Sequence, residues 1–104
     1  MSEPEDRAIA IEIVRQIGGF GPLRAMIGAK DIMAIPRGLK FRWAAKSKNG
    51  ANAVRVILAP SDTYAVEFWS LRGLNSKLIK SFDDIYADSL RELFERETGL
   101  YLRL

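Results

Sequence analysis

The sequence predicts an α+β fold of the order α-β-β-β-(β)-α, in which two helices pack on one face of an antiparallel meander sheet. Apolar residues recur at helical spacing near both ends of the chain, and apolar and polar residues alternate in the short segments between them. Turn residues separate these segments about every eight to twelve residues. The length of 104 residues suits one domain, spanning residues 1–104.

A helix is predicted at each end of the chain. In the first, over residues 2–17, Ser2 and Glu5 fit a capping box, and isoleucines at every fourth position from 9 to 17 form one apolar stripe. The last helix is predicted to begin at a cap on Ser81 or Asp83. A glycine follows each helix and suits its C-terminal cap.

Strands are predicted where apolar and polar residues alternate. The segments are residues 32–35, a short candidate, then 39–43, 53–59, 64–71 and the edge strand 77–82. Asn49-Gly50 is a strong turn signal between the second and third segments. Residues 23–27, between the first helix and the strands, suit a single helical turn.

The net charge of +3 is unevenly distributed along the chain. Residues 1–13 carry −3, residues 14–80 carry +9 and residues 81–104 carry −3. A basic centre between two acidic ends says nothing about fold, but it indicates a charged binding partner.

The composition excludes several kinds of chemistry. The chain has no cysteine and no histidine, which rules out disulfides, Cys/His metal sites and histidine bases. Gly19 and Gly21 lack the third glycine and the preceding strand of a dinucleotide-binding loop. No apolar run reaches the roughly 18 residues that a membrane span needs. We therefore expect a non-enzymatic protein with no cofactor, no metal and no membrane contact.

The basic segment predicts a binding surface. If Leu39, Phe41 and Trp43 face the helices, their strand neighbours face away from them, on what we call the open face. This face and the adjoining loop would carry a set of basic side chains and one aromatic: Lys40, Arg42, Arg55 and Trp69 on the face, and Lys46 and Lys48 in the loop. Cations around an exposed aromatic suit a phosphate backbone and a stacked base. Alternatively, Trp69 belongs to the core and the lysines serve only solubility and edge protection.

A second candidate surface is acidic. Asp84, Asp88 and Glu92 are spaced four residues apart, which would place them on one face of the last helix, with Glu95 nearby. Such a row offers phosphate-like charge to a protein partner. The alternative is a solvated helix surface.

Several short motifs carry a family resemblance: Lys48-Asn49-Gly50, Val54-Arg55-Val56, Pro60-Ser61-Asp62-Thr63-Tyr64, Arg72-Gly73, Tyr86-Ala87-Asp88 and Thr98-Gly99-Leu100-Tyr101. Together they resemble a family of small uncharacterised proteins of bacteriophages, prophages and integrative elements. The similarity spans about residues 17–104. It implies a mobile-element origin and a cytoplasmic setting in the bacterial host, and it brings no catalytic residues.

These observations favour a small binding protein that docks its basic sheet surface on nucleic acid or on a nucleic-acid-processing complex. One alternative is an inhibitor of a host defence protein, similar to anti-CRISPR proteins in size and origin, which could use the acidic helix. Another is a phage accessory or assembly protein that forms homo-oligomers through its exposed strand edge.

Overall fold

The computed structural model describes residues 3–102, so the predicted cap Ser2 lies outside the described residues. The elements follow in the order α1 (Glu3–Ile17), α2 (Phe20–Ile27), β1 (Ala29–Ile35), β2 (Gly38–Trp43), β3 (Ala53–Leu58), β4 (Tyr64–Arg72), β5 (Asn75–Ile85), a short 3-10 helix (Ala87–Ser89) and α3 (Leu90–Thr98). The helical turn predicted at residues 23–27 is the end of the eight-residue helix α2.

The strands form one antiparallel sheet in the spatial order β1-β2-β3-β4-β5, which confirms the predicted α+β class and meander. The sheet has five strands, whereas the predicted order α-β-β-β-(β)-α has four. The strand outside that order is β1, which begins at Ala29 and contains the short candidate of residues 32–35. Its register shifts between Lys30 and Met33, and Asp31 has a φ of 54°. Such a bulge breaks the two-residue period by which a strand is recognised.

The start of the last helix was predicted wrongly. The structure continues β5 to Ile85, which pairs with Tyr64, and α3 begins only at Leu90. Ser81 and Asp83, the predicted caps, therefore lie inside a strand. Acidic residues in this segment favour a helix start locally, but pairing with the long strand β4 satisfies the backbone along β5 and overrides that preference.

All three helices pack on one face of the sheet. Their buried side chains, among them Ile13, Leu23 and Phe94, form one core with inward-facing residues of the strands such as Phe41 and Phe68. The helices thus cover one side of the sheet, and no element within residues 3–102 covers the other side, the open face.

Candidate functional site

Strand pairing brings the predicted site residues together in two rows across the open face. In the first row Lys40 of β2 pairs with Arg55 of β3, and Arg55 pairs with Glu67 of β4. Directly paired residues point to the same side of a sheet. The three charged side chains therefore stand side by side, while Leu39 and Val56, their neighbours along the strands, are buried in the core.

The second row places a tryptophan beside the central strand of the sheet. Arg42 of β2 pairs with Ala53 of β3, Ala53 pairs with Trp69 of β4, and Trp69 pairs with Leu78 of β5. Ala53 is only 7% exposed although it faces away from the helices. Because its side chain is small, its larger neighbours rise above it and cover it, so Ala53 forms a low point between them.

The open face is concave. A concavity of about 570 Å³ lies over this low point, and Lys40, Arg42, Arg55 and Trp69 all line it. Leu71 at the end of β4 and Ser76 of β5 extend it toward the β4–β5 turn. Four of the six side chains that the sequence assigns to the basic surface thus meet at one cavity.

The indole of Trp69 is half-buried and held in a defined orientation. Its Nε1 donates a hydrogen bond to Oε1 of Glu67 over 3.1 Å. Trp69 is therefore not a core residue, in contrast to Trp43, which is 3% exposed and packs against Phe94 on the helix side. Holding the ring in one orientation lowers the entropy that a stacking ligand must overcome on binding.

The open face is less basic than the sequence suggests. Arg42 Nε bonds to Oδ2 of Asp31 in the neighbouring strand β1, and Arg55 Nη1 lies 4.0 Å from Oε1 of Glu67. Among the described residues, Lys40 has no carboxylate oxygen within 4.0 Å. Three cations and two carboxylates leave these five side chains with a net charge of +1. Exposed pairs of this kind are weak and can exchange one partner for another.

Sequence reasoning missed the apolar part of the open face. Met33 is 51% exposed and pairs with Lys40, while Leu78 is 43% exposed and pairs with Trp69. Register shifts in β1 and β5 interrupt the alternation that would have assigned these residues to a face. Apolar side chains beside arginines and a tryptophan are typical of contact surfaces.

The structure separates Lys46 and Lys48 from the open face. Their loop is tied to the helices, because Ala45 N–H donates to the Ile27 carbonyl and Lys48 N–H donates to the Thr98 carbonyl. The Lys48 side chain packs beside Gly99 at the C-terminal end of α3, where the helix dipole favours a cation. Neither lysine lines the concavity.

The predicted acidic helix row does not exist. Asp84 lies in β5, Asp88 in the 3-10 helix, and only Glu92 and Glu95 lie in α3. Glu95 is 7% exposed, and its Oε2 accepts the Leu102 N–H over 2.8 Å, so it anchors the backbone at Leu102 inside the fold. The cause is the late start of α3 at Leu90, because β5 extends to Ile85 and includes Asp84, and the 3-10 helix that follows includes Asp88.

Other kinds of site find no support in the described part of the chain. Residues 3–102 contain no group of three acidic, histidine or cysteine side chains that could hold a metal ion. No helix among them is long and apolar enough to cross a membrane. Burial raises the pKa of Tyr64, with smaller contributions from Glu12 and Asp62, but this phenol belongs to the core on the helix side.

Comparison with known proteins gives no independent assignment. The chain matches no protein-family model, no curated protein and no solved structure at significant similarity. The geometry of the open face is therefore the basis on which a function can be argued.

Proposed function

We propose that this chain is a non-enzymatic binding protein that holds a single strand of nucleic acid on its open face, alone or within a nucleic-acid-processing complex. The observation that supports this is the convergence of Trp69 with Lys40, Arg42 and Arg55 on one concave sheet surface. We further propose, from the resemblance of residues 17–104 to phage and integrative-element proteins, that it serves a mobile genetic element.

The chemistry of the face suits an unpaired strand. A base can stack on the Trp69 ring because every base has a π face, and alanine substitution shows such stacking to be worth about 1–3 kcal/mol per base. The cations beside the ring can then bind the flanking phosphates. In a duplex the faces of the bases are stacked on one another, so the indole within this concavity could not reach them. Single strands are therefore the expected ligand.

The number of phosphate contacts sets the expected salt dependence. If two to three of the cations bind phosphates, the logarithm of the affinity should fall with the logarithm of the salt concentration with a slope of about −1.4 to −2. Between about 50 and 200 mM salt the affinity should therefore fall about tenfold. Fluorescence anisotropy of a labelled oligonucleotide measures this slope.

Reversing the charge of Lys40 should weaken binding strongly. Lys40 lines the concavity without an ion-pair partner among the described residues, so Lys40→Glu places a new negative charge beside the bound strand. We expect the affinity to fall at least about tenfold in the same anisotropy assay. Lys46→Glu is the matched control, because it makes the same charge change outside the concavity, and it should cost less than about threefold. Equal losses in the two variants, or no binding by the unmodified protein at low salt, would contradict the proposal.

A second candidate is a protein partner, as in an inhibitor of a host defence protein. The exposed Met33 and Leu78 favour it, because apolar side chains contribute more to a protein interface than to phosphate binding. Such a partner would use the open face, since the acidic helix row is not formed. Affinity capture from host lysate, with and without nuclease, separates the two. Stoichiometric capture of one protein that survives nuclease and is lost in Lys40→Glu supports the second candidate.

A further inference from the structure

Glu67 is unexpected on a surface that binds a polyanion. It lies beside Trp69 and Arg55 on the open face, next to the residues that line the concavity, and its side chain is 35% exposed. A carboxylate near phosphates is unfavourable unless a cation or hydrogen-bond donors offset its charge. Donors on the ligand would have to belong to the bases, because the phosphodiester backbone of DNA offers none.

The contacts of Glu67 leave one oxygen available. The hydrogen bond from Trp69 Nε1 and the closest approach of Arg55 Nη1 both involve Oε1, at 3.1 and 4.0 Å. Within residues 3–102, Oε2 of Glu67 accepts no hydrogen bond. The side chain is thus positioned through one oxygen, while the other remains free beside the ring on which a base would stack.

We propose that Oε2 of Glu67 reads the edge of the base stacked on Trp69 by accepting a hydrogen bond from an exocyclic amino group. This inference rests on the proposed function and specifies its ligand. A carboxylate only accepts hydrogen bonds, and the N4 amino group of cytosine is a donor that Glu and Asp recognise. Thymine carries the acceptor O4 at that position, which the carboxylate repels. The open face therefore prefers cytosine to thymine.

A purely structural role for Glu67 makes a different prediction. If Glu67 only orients Trp69 and pairs with Arg55, it affects the affinity for every strand alike. Glu67→Gln separates the roles, because the amide oxygen can still accept the Trp69 N–H while the charge is lost and a donor is gained. With its oxygen held by Trp69, the amide presents its NH2 in place of Oε2, which can donate to thymine O4 but cannot accept from cytosine N4.

The test compares two homopolymers, labelled oligo(dC) and oligo(dT) of equal length, by anisotropy at low salt and mildly alkaline pH, where cytosine strands do not self-pair. The unmodified protein should bind oligo(dC) about tenfold more tightly than oligo(dT). Glu67→Gln should raise the affinity for oligo(dT) more than that for oligo(dC) and reduce the preference to less than about threefold. Glu92→Gln, which removes the same charge from the exposed surface of α3, should keep the full preference.

The outcomes distinguish this inference from the proposed function. Equal affinity of the unmodified protein for the two strands, or an equal increase for both in Glu67→Gln, overturns the proposal that Glu67 recognises the base. Neither result contradicts the proposal that the open face binds single strands. Absence of binding to either strand overturns the proposed function itself, and the inference with it.

Discussion

Replacing Trp69 with alanine should weaken the binding of a single-stranded oligonucleotide by about 10- to 100-fold. The substitution removes the ring on which a base stacks, and it also leaves Oε1 of Glu67 without the indole N–H that positions it. The ring lines the concavity, and Glu67 lies beside the ring on the open face. The measurement is the dissociation constant by fluorescence anisotropy at low salt, with the folded state of the variant checked by circular dichroism.

Two further variants show whether the loss is specific to stacking on the open face. Trp69→Phe retains an aromatic ring and should recover most of the affinity. Trp43→Phe changes the other tryptophan, which is buried in the core with an Nε1 that has no hydrogen-bond partner among the described residues. The smaller ring leaves a space in the core, but the change also removes an unsatisfied donor, so the loss of stability should stay below the about 3–5 kcal/mol of a Trp→Ala change, and binding should be unchanged. A folded Trp69→Ala variant that binds as well as the unmodified protein would refute the stacking role.

Replacing Phe94 with alanine should have the largest effect on stability, about 3–5 kcal/mol. Phe94 joins α3 to the helix side of the sheet, with its ring centroid 6.0 Å from that of Phe41, 5.1 Å from Trp43 and 6.2 Å from Phe68. Small domains are stable by only about 5–15 kcal/mol, so this loss is a large part of the total. At roughly 4–8 °C per kcal/mol, the melting temperature should fall by about 15–30 °C.

The matched control for Phe94 is Tyr101→Ala, an aromatic near the same end of the chain that is 66% exposed. Its melting temperature should stay within a few degrees of that of the unmodified protein, because surface substitutions usually change stability by less than about 0.5 kcal/mol. Thermal unfolding followed by circular dichroism measures both variants. A fall of less than about 5 °C in Phe94→Ala would show that the aromatic cluster does not hold α3 to the sheet.

The fold could be predicted from the sequence where each element contains its own signal. Strand β2 has strict alternation, and its residues are buried and exposed in turn, as the sequence indicates. The boundary between β5 and α3 could not be predicted, because the segment around Asp83 has the local character of a helix start. Its conformation is set by pairing with the first half of β4, and the meander pattern does not reveal how far that pairing continues along β5.

The candidate site, too, could be predicted only where the strand that carries a residue also carries the signal for its exposure. The pattern of β2 and β3 predicts correctly that Lys40, Arg42 and Arg55 are exposed. The partial neutralisation of the face could not be predicted, because Asp31 reaches Arg42 only through the bulged pairing of β1 with β2. The position of Lys48 likewise depends on a hydrogen bond to Thr98, fifty residues further along the chain. Charge counted along a sequence does not specify which charges meet across strands.

The central claim is that the open face binds a single strand of nucleic acid, and chemical-shift mapping tests it most directly. A two-dimensional ¹H–¹⁵N spectrum of the labelled protein contains one indole signal from each of Trp43 and Trp69, which lie on opposite sides of the sheet. On addition of an unlabelled oligonucleotide, the Trp69 indole signal and the backbone amides around Lys40 and Arg55 should shift, while the Trp43 indole signal stays in place. Largest shifts in α1 or α3 with the Trp69 signal unmoved, or no shifts at low salt, would contradict the account.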